Sequence, residues 1–206
     1  MKENKTDIKA IVFDYGGVLV NDPDEKIIRD ISDKFGMTYE ESLEIIQVLV
    51  EPYQRGEISN EEFWEKFSEM AEKELPKNYE SLWVDKMEIK IDYRIVDLVK
   101  KLKNKGFVVA LLSNTISPHA QQNIKNGCYD LFDPVVLSFE VGTREPEEKI
   151  FQIMLNKLNL PAEKCVYIDD NKDYSDIATK IGMYGIKFDS YEKLIEDLQR
   201  INIRIP

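Results

Sequence analysis

Five short apolar runs, each stopped by small, polar or acidic residues, constrain this chain more than any other feature. Residues 9–14 (KAIVFD) stop at Asp14, which is followed by Tyr15-Gly16-Gly17. The others are residues 108–113 (VVALLS), 134–139 (PVVLSF), 165–169 (CVYID) and 184–188 (YGIKF). Runs this short, without apolar–polar alternation, suit strands covered on both faces. Helical patterns lie between them. Ile95, Leu98, Val99 and Leu102 share one helix face. So do Ile150, Met154, Leu155 and Leu158, in a helix that begins just after Pro146. Further helices are expected over 174–181 and 191–201. Strand–helix alternation of this kind implies an α/β fold: a Rossmann-like parallel sheet of about five strands with helices on both faces.

The first two strands are separated by residues 21–93, which hold no convincing strand. Amphipathic helical patterns cover 24–35, 38–50 and 59–74, and Ser59 with Glu62 forms a capping box. The expectation is a helical-bundle cap over 21–93, inserted after strand one, above a core made of 1–20 and 94–206. Phe63, Trp64, Phe67 and Trp83 read as the packing residues of that bundle, with Tyr53 or Trp64 as the alternative that faces a ligand.

The chain has 206 residues and a formal net charge of −11. That charge argues against nucleic acid, whose backbone calls for clustered Lys and Arg, and against anionic membranes. No apolar run reaches the roughly 18 residues of a transmembrane helix. Residues 1–7 lack the apolar stretch of a signal peptide. Cys128 and Cys165 are too few for a disulfide framework and read as reduced packing residues, so a cytoplasmic location is expected.

In open α/β sheets ligands bind beyond the carboxyl ends of the strands. Those ends carry Asp14; Ser113 and Asn114; the loop Gly142-Thr143-Arg144-Glu145-Pro146; and Asp169-Asp170-Asn171. Asp14, Asp169 and Asp170 together would repel one another. A hard divalent cation resolves that repulsion, and Mg²⁺ suits a few carboxylates plus phosphate oxygens. Asp14 could then attack phosphorus. Asp173 and Asp176 read as solvated or helix-starting acids. His119, the only histidine, reads as a solvent-facing first-turn residue.

These residues resemble the haloacid dehalogenase-like hydrolase superfamily over nearly the whole chain. The resemblance rests on residues 11–19, on Leu112-Ser113-Asn114, on residues 142–151, and on Tyr167-Ile168-Asp169-Asp170. Residues 55–59 and Glu62-Phe63-Trp64 are similar to the branch holding small sugar-phosphate phosphatases and the phosphatase domain of epoxide hydrolases. The resemblance implies a Mg²⁺-dependent phosphatase acting on a small phosphorylated metabolite through an aspartyl-phosphate on Asp14. It implies Ser113 and Asn114 as catalytic and phosphate-contacting residues, and Gly16, Gly17 and Arg144 as further substrate contacts. Asp14, Asp169, Asp170 and the Gly16 carbonyl would be the metal ligands. Three positions depart from the family pattern. Gly16 replaces a second aspartate that acts as general acid and base. Glu145 replaces a lysine, and Tyr174 stands where asparagine is frequent. Arg144, Lys149 and Lys172 are the candidates to supply the missing positive charge. The departures leave two alternatives: a catalytically impaired binding or regulatory protein of the same fold, and a dehalogenase-like hydrolase.

Overall fold

The computed structural model describes residues 7–21, 24–85 and 87–205. Strand β1 (Ala10–Phe13) is buried throughout. Four helices follow it: α1 (Asp24–Phe35), α2 (Tyr39–Gln54), α3 (Asn60–Ala71) and the short α4 (Leu82–Asp85). The chain continues through α5 (Tyr93–Asn104), β2 (Val108–Ser113), α6 (Ser117–Lys125), β3 (Val135–Leu137), the short α7 (Ser138–Val141) and α8 (Glu148–Leu158). It ends with β4 (Cys165–Asp169), α9 (Lys172–Lys180), β5 (Tyr184–Lys187) and α10 (Tyr191–Arg200). The five strands form one parallel sheet in the order β3-β2-β1-β4-β5, the α/β fold expected from the alternation.

The period of two along a strand divides β1 between two apolar layers. Ile11 and Phe13 join Leu98 and Leu102 of α5 and Leu194 and Leu198 of α10. Ala10 and Val12 face Ile150 and Met154 of α8 and Ala178 of α9. With helices on both sides, the sheet has no wet face, which is why its strands read as unbroken apolar runs. No described helix is long and apolar enough to cross a membrane.

Helices α1–α4 pack around a third cluster that includes Ile27, Ile31, Tyr53, Phe63, Trp64 and Phe67. Their starts are set locally. Thr38 with Glu41 and Ser59 with Glu62 close reciprocal capping boxes on α2 and α3, each cap contributing about 1 kcal/mol. Helix α2 continues past the expected end at residue 50 to Gln54, with Pro52 inside it. Proline removes one helical hydrogen bond, and burial of Tyr53 in the cluster holds the last turn in place. The chain leaves β1 and returns to α5 as a paired strap. Val20 bridges to Ile91, Asn21 N donates to Lys90 O at 3.2 Å, and Asp92 N donates to Leu19 O at 2.9 Å.

One element differs from its sequence pattern. Residues 134–139 are not a single strand: β3 covers only Val135–Leu137, and Ser138 starts a helical turn that closes at Gly142. The buried Ser138 hydroxyl accepts from Thr115 N at 3.0 Å and donates to Thr115 O at 3.1 Å. It thus takes both backbone groups of the residue just past β2, where a longer β3 would have continued the ladder.

Gly185 in β5 lets α9 approach the sheet. A Cβ there would lie 2.0 Å from Ser175 O and 2.5 Å from Thr179 Oγ1. Gly185→Ala is expected to cost about 1–3 kcal/mol through overpacking. Thermal unfolding should show this as a fall of about 2–4 °C in Tm per kcal/mol for a chain of this size.

Candidate active site

Strands β1 and β4 are neighbours, yet the chain runs from β1 outward to β2 and β3 before crossing back to β4. The strand order therefore reverses between them, and the crevice at their carboxyl ends is the place where ligands bind in such sheets. Asp14 and Asp169 stand on its two sides. Asp14 N donates to Ile168 O at 2.9 Å, which carries the pairing one residue beyond the strand. Asp14, Asp169 and the exposed Asp170 each offer a carboxylate oxygen, all within 4.8 Å of one another. Burial, then the Glu145 and Asp169 carboxylates, raise the Asp14 carboxyl well above the usual carboxylate range. Asp169 is 1% exposed; burial raises it to about 6, against the hydrogen bonds from Tyr167 and Asn171 N. A hard cation fits this set, because its donors are all oxygen and their negative charge is uncompensated.

The turn after β1 is shaped around Asp170. Gly17 has φ of 69°, and a Cβ there would lie 2.3 Å from Asp170 Oδ2. Glycine is required by both the left-handed backbone and the close approach. Gly16 differs: a Cβ there would meet nothing within 4 Å.

The loop between α7 and α8 reaches the same crevice. Asn114, just past β2, reads both backbone groups of Glu145. Glu145 N donates to Asn114 Oδ1 at 2.9 Å, and Asn114 Nδ2 donates to Glu145 O at 3.1 Å. The Glu145 side chain is 1% exposed and hydrogen-bonds the Tyr167 hydroxyl, which also hydrogen-bonds Asp169. One hydroxyl has one proton to give. Two buried carboxyls on one hydroxyl are best satisfied if one of them carries a proton of its own. Glu145 is the one that keeps it: burial and Asp169 raise its carboxyl well above the usual range, outweighing Tyr167 and Arg144. Burial thus favours the neutral form of Glu145, and the one Tyr167 hydroxyl links its carboxyl to that of Asp169. The sequence motif assigns Tyr167 no role. Its signal was a lone hydroxyl in a buried strand, two residues before Asp169 and therefore on the same face.

The three cations considered as substitutes are placed elsewhere. Arg144 pairs with Glu51 of α2 at 3.0 Å, and its Nε is buried with no hydrogen-bond partner among the described residues. Lys172 is exposed and pairs with Asp176, and Lys149 is exposed on α8. Asp173 starts α9 beside its Asn171 cap. Tyr174 shares a hydrogen bond with Asn114.

A cavity of about 190 Å³ lies between the sheet edge and α1–α4, with Gly16, Ser113 and Asn114 among its lining. His119 also lines it, which corrects the expectation of a solvent-facing residue. Its Nε2 donates to Trp83 O at 2.9 Å, and its ring meets the Trp83 ring edge-on at 5.8 Å. Tyr15 and Trp83, not Tyr53 or Trp64, are aromatics that border the cavity. Tyr53 and Trp64 are buried with Phe63 and Phe67.

A family model described as haloacid dehalogenase-like hydrolase matches residues 8–178. The chain belongs to the haloacid dehalogenase-like hydrolases. It is similar to D-ribitol-5-phosphate phosphatase of Bacteroides thetaiotaomicron, at 27% identity over 85% of this chain and 89% of that one. It is also similar to Acyl-CoA dehydrogenase family member 10 of Mus musculus, at 27% identity over 94% of this chain and 19% of that one. The chain spans about a fifth to a half of the length of that protein and two fungal relatives. A solved structure of a family enzyme from Bacteroides thetaiotaomicron, in complex with magnesium and inorganic phosphate, superposes with a TM-score of 0.75 at 25% identity. It covers 91% of this chain and 98% of that chain.

Raised carboxyl pKa values have a signed consequence for stability. The folded state holds protons on Asp14, Asp169 and Glu145 that the unfolded chain releases near pH 4. Their stabilising contribution is complete below that pH and is lost as pH rises, for Asp169 through about 6. In metal-free protein, Asp14→Asn is therefore expected to match wild type near pH 3.5 and to exceed it increasingly in Tm as pH rises above about 4. The gap should be a few degrees, at about 2–4 °C per kcal/mol. Differential scanning calorimetry across pH checks this.

Proposed function

We propose that the chain is a Mg²⁺-dependent phosphatase acting on a small phosphorylated metabolite, with Asp14 as nucleophile. The observation that carries this reading is the convergence of Asp14, Asp169 and Asp170 at the reversal of strand order, near a cavity lined in part by Gly16 and Ser113. Asp14, Asp169, Asp170 and the Gly16 carbonyl would hold the metal, which when bound supplies positive charge against the phosphate. The relatives support a phosphate ester: one is named for ribitol 5-phosphate hydrolysis, and one solved structure holds magnesium and phosphate. The net charge of −11 favours a small ester over nucleic acid, and two free cysteines fit a reducing cytoplasm.

In the first step an Asp14 oxygen attacks phosphorus, the bond to the ester oxygen breaks, and the leaving alkoxide takes a proton from water. In the second, water attacks the aspartyl-phosphate at phosphorus, the bond to Asp14 breaks, and inorganic phosphate leaves. Ser113 donates to a phosphate oxygen, and residues 16–17 lie over the site. Asn114 contributes by fixing the Glu145 loop. Glu145 in its neutral form does not repel phosphate, which removes the main electrostatic objection to turnover. In this reading helices α1–α4 form a cap within 21–93, over a core of 1–20 and 94–206. Arg55 Nη2 on Glu147 at 2.7 Å and Arg144 on Glu51 hold the two together.

Gly16 favours a second reading, a phosphate-binding protein of this fold without turnover, because positioned acid–base help is worth about 10²–10⁴ in rate. Hydrolysis of an aryl phosphate with and without Mg²⁺ separates the two. The phosphatase reading expects metal-dependent activity that falls at least about 10³-fold in Asp14→Asn. Inactive wild type, with activity appearing in Glu145→Lys, would overturn it.

Two further outcomes are expected. Glu145→Gln, which keeps a neutral amide in the same place, should stay within about tenfold of wild type in kcat/KM. Gly16→Asp, entering open space, should raise the rate for alkyl phosphates, whose leaving groups need a proton, by up to about 10²-fold.

A further inference from the structure

We infer that the leaving group of the substrate is a small, uncharged and mainly apolar alcohol, with at most one donor and one acceptor, and not a polyhydroxylated sugar. This rests on the phosphatase reading above. The cavity beyond Ser113 is walled by Ile28 of α1, Ile46 and Val50 of α2, and Met87 and Ile89 before α5. Among its described lining residues none is Asp, Glu, Lys or Arg. A leaving group with a second charge would therefore enter largely apolar surroundings with no counter-ion among the described lining residues, at a large desolvation cost. At 190 Å³ the cavity is smaller than the roughly 300–1,000 Å³ of sites for drug-sized ligands.

The polar groups of the lining disfavour a sugar, because several of them are already engaged. Asn21 Oδ1 accepts from Lys90 N. Asn123 accepts from Tyr15 at 3.3 Å and donates to Tyr129 at 3.0 Å. His119 is bonded to Trp83 O, Thr115 N to Ser138, and Asn114 to the Glu145 backbone. Two polar atoms of the lining are buried with no hydrogen-bond partner among the described residues: Trp83 Nε1, a donor, and Gln54 Oε1, an acceptor. Trp83 is only 5% exposed. Each would be satisfied by one complementary group on a ligand. A sugar phosphate brings several hydroxyls into the same space, and each one left unpaired costs roughly 1–3 kcal/mol.

The test compares two ester classes and two ligand classes. With Mg²⁺, kcat/KM is measured for benzyl phosphate and 3-methylbutyl phosphate against ribose 5-phosphate and ribitol 5-phosphate. In parallel, the rise in Tm of the Mg²⁺-loaded protein is measured with benzylphosphonate, which cannot be hydrolysed, and with ribose 5-phosphate. The apolar esters are expected to be favoured by at least about 10²-fold, the discrimination an apolar pocket exerts against added hydroxyls. Benzylphosphonate is expected to give the larger rise in Tm. Trp83→Phe, which removes the indole N–H and keeps an aromatic ring, should raise KM for 4-hydroxybenzyl phosphate more than for benzyl phosphate. Equal or better turnover of the sugar phosphates overturns the inference and leaves the phosphatase reading intact. If no ester is hydrolysed, the phosphatase reading fails, and the Tm comparison alone decides which ligand class the cavity takes. Equal or smaller stabilisation by benzylphosphonate, including none by either ligand, overturns the inference.

Discussion

Crowded negative charge between two adjacent strands is the constraint on which the rest of this structure depends. Three carboxylates share a volume a few ångströms across at the ends of β1 and β4. Bringing them together costs free energy that the apolar layers on both sides of the sheet must outweigh. The left-handed turn at Gly17, tight against Asp170, serves that crowding. So does the hydrogen bond from Asn171 N to Asp169 Oδ1 at 2.6 Å. Such an arrangement is stable only if protons or a cation share the site.

Glu145 sharpens the same constraint. A glutamate at a position where this family carries lysine would, if ionised, add a fourth negative charge. The protein avoids that by burying the side chain and giving it Tyr167 as a partner. The Tyr167 hydroxyl, hydrogen-bonded to both Glu145 and Asp169, takes the place of an ion pair. Its cost is the loss of a fixed cation at that position, and nearby Arg144 is engaged by Glu51. Asn114 matters to this arrangement less as a ligand contact than as the amide that holds the loop backbone in position.

The helices after β1 supply what the sheet edge lacks, an enclosing wall. Their aromatic cluster is a packing device: Tyr53, Phe63, Trp64 and Phe67 bury one another, and among the aromatics of these helices only Trp83 lines the cavity within the described residues. The paired segments around Val20 and Ile91 tie that wall to the end of β1. Arg55 and Arg144 tie its far side to the loop that carries Glu145.

The sequence by itself determined the strands, most helix boundaries, and the placing of Asp14, Ser113, Asp169 and Asp170 at strand ends. These follow from local periodicity and from the rule that parallel strands present their carboxyl ends together. It also set the capping boxes at Thr38 and Ser59, which involve residues three apart. Only the tertiary structure decided what Glu145 does, because its charge state depends on Tyr167, 22 positions away, and on burial that no local pattern encodes. The same holds for His119, turned inward by the carbonyl of Trp83, and for Ser138, which ends β3 by bonding Thr115. The lining of the cavity is likewise a tertiary property. Residues from α1, α2, α4, α6, the segment before α5 and the ends of β1 and β2 meet there, and which of their polar atoms remain unpaired depends on contacts between elements far apart in the chain.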